Sequence, residues 1–178
     1  DHHASYSYWT FGDVFEEWGP QRSLFHGGFG MVANGCIPKP TYQTFSFFKK
    51  LQGKCVHRSE NVIIVKREDG SYYGVAWNPD MDGKQPCYQQ TFSFPIQNRS
   101  CIITKRVNEE CCNPLKVWHD LGEPANPSRE DVALIREAAN PQITTTTNNG
   151  ACEIDLQVVP NEVVAFEVRE AELTSDYG

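Results

Sequence analysis

Apolar residues recur at two different spacings along this chain, and the change falls near residue 53. In "IPKPTYQTFSFFKKLQG", Tyr42, Phe45, Phe48 and Leu51 follow one another at steps of three, with Pro40 near the first turn and Gly53 after the end. Steps of three keep side chains near one helical face, Pro suits a first turn, and Gly readily closes a helix. The spacing predicts an amphipathic helix that ends near Gly53, and a boundary there. Residues 1–36 are aromatic and Gly-rich without a helical period, and predict a strand followed by a long loop.

Beyond residue 54 the pattern becomes one of short strands. "NVIIVK" and "SYYGVAWN" flank "REDGS", whose Asp69-Gly70 is a strong hairpin signal. "QTFSFPI", "SCIITKRV", "LKVWHD", "PQITTTT", "ACEIDLQVV" and "EVVAFEVRE" follow, with turn residues between them. One helix interrupts the series: in "NPSREDVALIREAAN", Ser128 is placed to cap and Asp131 stands three residues on. The fold class expected is mainly β: an antiparallel β-sandwich of about eight short strands with one inserted helix. Trp77, Phe92, Phe94 and Trp118 are expected to point inward as core, since aromatics carry much of core burial.

Composition narrows the function. The net charge is −7 with no basic cluster, which disfavours nucleic acid and anionic membrane as partners. No apolar run approaches the ~18–20 residues of a membrane-spanning helix. The chain begins at Asp1, without Met or a signal peptide, and a strand-like segment follows within a few residues, which suggests an upstream portion. Seven cysteines, an odd count without a C-x-x-C pair, read as mostly buried, reduced thiols and point to a reducing, cytoplasmic compartment. Cys111-Cys112 has no His at ligand spacing, and no metal and no cofactor are expected.

The candidate chemistry lies in "SYSYWTFGDVFEEWGP", which places Trp9, Asp13, Glu16 and Glu17 in one aromatic run. Aromatic faces stack on the apolar side of a sugar ring while carboxylates accept from its hydroxyls. A half-buried strand end has the same composition, so the run alone leaves both readings open. His26 reads as a loop-shaping residue beside Gly27-Gly28, and "GGFG" lacks the Lys-Ser/Thr of a phosphate loop.

Taken with "FHGGFGMVANGCIPKPTYQTFSFFKKLQG", this run resembles the last strand, loop and helix of the catalytic barrel of glycoside hydrolase family 39, the family of β-xylosidases and α-L-iduronidases. "LKVWHDLGEPANPSREDVALIREAANPQI" and "NGACEIDLQVVPNEVVAFEV" are similar to the closing sandwich of its xylosidase branch, so the resemblance runs from Ser5 to about Glu167. Gly12 and Trp18 depart from the familiar pattern. The resemblance covers only the C-terminal third of such enzymes. It implies that residues 1–53 are the last strand, loop and helix of a (β/α)8 barrel and that residues 54–178 are the C-terminal sandwich. Trp9 would floor a sugar subsite, and Glu16 and Glu17 would bind sugar hydroxyls.

No catalytic residue is expected in this chain. The acid/base Glu and the nucleophile Glu of the family belong to barrel strands that would lie upstream of Asp1, and "VNEECC", "GEP" and "PNEV" lie in sandwich turns. The expected partners are a xylo-oligosaccharide or related glycoside, the missing N-terminal barrel segment, and other copies in a homo-oligomer. Arg22 is the only Arg in the first fifty residues, which favours xylose over iduronate as the sugar. A non-catalytic β-sandwich accessory or carbohydrate-binding module is the alternative.

Overall fold

Buried and exposed positions alternate along strands such as "CEIDLQV", and the fold follows from covering their apolar sides. The structure, a computed structural model, describes residues 7–14 and 23–171. The described chain runs through β1 (Val32–Ala33), β2 (Ile37–Pro38), α1 (Pro40–Lys49), β3 (Lys54–Arg58), β4 (Val62–Lys66), β5 (Tyr72–Asn78), β6 (Tyr88–Phe94) and β7 (Arg99–Val107). It continues through α2 (Pro114–Asp120), α3 (Arg129–Glu137), β8 (Gln142–Asn149), β9 (Cys152–Val158) and β10 (Glu162–Glu170).

Six strands form one antiparallel sheet in the order β3-β4-β5-β10-β7-β8, and β6 pairs with β9 as a separate ribbon. The ribbon covers one face of the sheet. Ile154, Leu156 and Val158 of β9 and Phe92 and Phe94 of β6 meet Val62, Ile64, Val164, Phe166 and Val168 in a continuous core. Phe166 lies directly over Gly74, where an added Cβ would stand 2.1 Å from its ring. The β4–β5 turn forms as its Asp69-Gly70 predicts: Gly70 has φ 82, and Asp69 Oδ1 accepts from the Ser71 amide at 2.9 Å and its hydroxyl at 2.6 Å. Those bonds from Ser71 pull the Asp69 carboxyl below its usual range.

The opposite face of the sheet is covered by α1. Phe47 is buried there against Val65, Tyr73, Val75, Val107 and Ala165, with Leu51 packed beside it. This corrects one expectation. The buried helix residue is Phe47, not one of the row from Tyr42 to Leu51: steps of three fall about 60° short of a full turn, so the row winds round the helix, while Phe47 and Leu51, four apart, stay together. Tyr42 and Phe48 of that row remain exposed. Tyr73 donates its hydroxyl to the Phe47 carbonyl at 3.2 Å, and burial raises its pKa to about 12.

"LKVWHD", expected as a strand, is helix α2, so the helical insertion has two short helices. Pro114 occupies the first turn, and the Asn113 side chain accepts from the Lys116 amide at 3.1 Å. Trp118 is buried as expected, but from a helix, in a third cluster with Ala33, Ile37, Ile135 and Ala139. Helix α3 begins with the expected capping box, Ser128 Oγ accepting from Asp131 N at 3.1 Å and Asp131 Oδ2 from Ser128 N at 2.9 Å. Strand β3 was not expected. "KCVHR" lacks alternation because it is an exposed edge strand with an irregularity between Cys55 and His57.

The cysteines are all unpaired, but only Cys112 and Cys152 are buried; Cys36, Cys55 and Cys87 are exposed. The expectation of mostly buried thiols fails because these three sit in a loop, on the edge strand and ahead of β6. No described helix is long and apolar enough to cross a membrane.

Candidate functional site

The segment from Ser7 to Val14 lies alongside the start of β1. Met31 N donates to Thr10 O at 3.1 Å, Val32 N to Phe11 O at 2.9 Å and Asp13 N to Val32 O at 2.8 Å, around a parallel bridge between Gly12 and Val32. The expected N-terminal strand is represented among the described residues by this bridge, because only residues 31–32 offer it a ladder.

Asp13 anchors the segment. Its side chain is fully buried, and its carboxylate faces Lys39 Nζ at 2.7 Å (Oδ2) and 2.9 Å (Oδ1) while accepting from Gly30 N at 2.7 Å. Lys39, the residue before α1, also donates to Gly28 O at 2.5 Å. One ion pair therefore ties the first segment, the glycine loop and the start of the helix together. The loop can approach so closely only because it lacks side chains. A Cβ on Gly30 would stand 2.4 Å from the Gly12 carbonyl carbon, and one on Gly28 would stand 2.7 Å from the Asp13 carboxyl. His26 packs beside this knot with its Nε2 buried and unpartnered.

Around this knot the aromatics face outward. Trp9 is 71% exposed, Phe11 63% and Phe29 55%. Tyr8 donates its hydroxyl to Phe29 O at 2.8 Å and sets its ring edge-on to Phe45 at 5.4 Å, so the Phe29 loop runs beside the Trp9 segment. The Trp9–Thr10 peptide bond is cis. The indole is exposed, whereas Asp13 is consumed by its structural bonds and holds the segment in place. Glu16 and Glu17, the other expected substrate-binding residues, lie outside the described residues.

Lys39 was missed by sequence reasoning, since no local pattern joins residues 26 positions apart. Glu162, in the "PNEV" turn, is the second buried carboxylate of note. It accepts from Arg106 Nη1 and Val159 N, each at 2.9 Å, and from Asn108 Nδ2 at 2.9 Å, and so acts as a turn brace. No group of three or more metal-ligating side chains occurs among the described residues.

The glycosyl hydrolases family 39 model matches residues 1–153. A β-xylosidase of Geobacillus stearothermophilus is 36% identical over 183 aligned residues, covering 99% of this chain and 36% of that protein. Among solved structures, a monomeric β-xylosidase from Caulobacter crescentus CB15 superposes with a TM-score of 0.78 at 22% identity, over 94% of this chain and 38% of that one. A GH39 enzyme from Xanthomonas axonopodis pv. citri gives a TM-score of 0.78 at 20% identity, over 93% of this chain and 37% of that one. The chain spans little more than a third of the length of these relatives, over the elements described above.

Proposed function

Because the chain belongs to glycosyl hydrolases family 39, we propose that it is the C-terminal portion of a retaining glycosidase that releases terminal β-D-xylosyl units. Residues 1–53 would complete the catalytic barrel, and residues 54–178 would form its sandwich domain. The observation that carries this reading is the outward-facing Trp9, held on a backbone that the buried Asp13–Lys39 pair fixes in place. An exposed indole on a rigid support suits an apolar sugar face. Glu16 and Glu17, a few residues on, would accept from the sugar hydroxyls as charged and therefore strong acceptors.

Retaining hydrolysis needs two carboxyl groups about 5–5.5 Å apart across the scissile bond, one as nucleophile and one as acid/base. In this reading both come from a barrel portion upstream of Asp1, which is the chain's first partner. The exposed Trp9, Phe11 and Phe29 give that portion an apolar surface to cover, or give a second copy one in a homo-oligomer. The seven unpaired thiols, three of them exposed, support a reducing, cytoplasmic location.

The test is hydrolysis of an aryl β-D-xyloside. The purified 178-residue chain is expected to show none, and a polypeptide joining it to a family 39 barrel portion is expected to turn the substrate over. Mutation-sensitive hydrolysis by the chain alone would overturn the reading.

A further inference from the structure

A cleft of about 1200 Å³ opens between the β4–β5 turn and the Pro95–Asn98 connection from β6 to β7, floored by the ends of β7 and β10. Lys66, Arg99 and Arg169 line it, together with three acids. The acids are already engaged. Asp69 accepts from Ser71, Glu167 pairs with Arg67 at 3.2 Å, and Glu170 accepts from Asn98 Nδ2 at 2.7 Å. Lys66 stands 5.6 Å from the Tyr72 ring.

The two arginines are different. Neither Arg99 nor Arg169 is in an ion pair among the described residues, and Arg99 Nε is buried without a hydrogen-bond partner. They are also neighbours. Arg169 pairs directly with Cys101 across the β7–β10 ladder, and Arg99 lies two residues before Cys101 on the same face. Such diagonal positions are roughly 7–8 Å apart, close enough for like charges to repel. A buried guanidinium N–H without an acceptor adds a further cost. An oxyanion between the two forks would relieve both, since guanidinium groups match the geometry of carboxylate and phosphate.

We propose that this cleft binds a small oxyanion, the carboxylate or phosphate group of a hydroxylated ligand, clamped by Arg99 and Arg169. Gln97, which also lines the cleft, offers an amide group to its hydroxyls. The site is built from sandwich strands and shares no residue with the Trp9 segment.

Calorimetric titration of the full 178-residue chain at low ionic strength tests it, with inorganic phosphate, glucuronate and glucose as probes. Phosphate or glucuronate is expected to bind with a Kd of about 1 mM or tighter, to weaken as salt is raised, and to lose about tenfold or more in Arg169→Gln. Binding of phosphate alone assigns the site to phosphoryl groups, and binding of glucuronate alone to carboxylates. Arg169 is exposed, so its replacement leaves the core intact; Arg99→Gln should act likewise, and Arg99→Lys should retain part of the affinity. The proposal is overturned if neither anion binds, if glucose binds as well as the anions do, or if the folded Arg169→Gln chain binds unchanged.

Discussion

Asp13 and Lys39 form a buried ion pair of 2.7 Å across 26 residues, where the first segment, the glycine loop and the start of helix α1 meet. The Asp13 side chain is wholly shielded from water, while Lys39 keeps 18% of its side-chain exposure. Removing one partner of such a pair strands the other charge, at about 3–5 kcal/mol, whereas removing both costs less. Lys39→Met should therefore lower stability by about that amount, and the Asp13→Asn, Lys39→Met double variant should recover a substantial share. Chemical denaturation of the three variants measures this. Equal losses in the single and double variants would show that the pair is not coupled.

The glycines at Gly30 and Gly74 are there for space. An alanine at residue 74 would press on the Phe166 ring, and one at residue 30 would press on the Gly12 backbone. Overpacking costs about 1–3 kcal/mol where a side chain can yield, and more where backbone must move. Gly30→Ala is expected to be the costlier of the two. Truncating Phe166 to Leu in the Gly74→Ala chain should restore part of the loss, which melting temperatures will show; two independent, additive losses would contradict the contact.

Two buried groups make the fold sensitive to alkali. Burial pushes the Cys112 thiol from 9.0 to about 12, with Cys111 adding to the shift, and it pushes Tyr73 from 10.0 to about 12. The folded state keeps these protons after the unfolded chain has lost them. Stability should thus be unaffected by either group below about pH 9 and fall as the pH rises toward about 12. Melting temperature against pH reads the slope, which Cys112→Ala should reduce between pH 9 and 11. An unchanged slope would mean that the thiol titrates normally.

How legible this was in advance varied by element, for identifiable reasons. Strand β9 was plain because Cys152, Ile154, Leu156 and Val158 face the core while Glu153, Asp155 and Gln157 face water. The β4–β5 turn and the α3 capping box are local chemistry, carried by residues within three or four positions. Strand β3 was not visible because an exposed edge imposes no alternation. Helix α2 was misread because Val117-Trp118 looks strand-like once the Asn113-Pro114 start is taken for a turn. Phe47 could not be chosen over Phe48 without knowing where the sheet lies. The resemblance singled out Trp9, but the Asp13–Lys39 support beneath it is a tertiary contact that leaves no trace in spacing.

In the full-length enzyme proposed above, Trp9→Ala should reduce kcat/KM through both kcat and KM, because a stacking floor serves the ground and transition states alike. Its exposure means that removing the indole should cost little stability. A lowered melting temperature with near-normal turnover in the folded fraction would instead mark Trp9 as a packing residue.

The most direct measurement is kcat/KM for an aryl β-D-xyloside with Glu16→Ala in that same full-length enzyme. Hydrogen bonds from the reacting sugar to Glu16 and Glu17 should tighten as the ring flattens toward its oxocarbenium-like transition state. The account predicts a fall of roughly 10²–10³, about 3–4 kcal/mol, with much of it in kcat and the melting temperature unchanged. If Glu16→Ala and Glu17→Ala both leave kcat/KM within about threefold, a change under about 1 kcal/mol, these acids do not hold the substrate and the proposed sugar subsite is wrong.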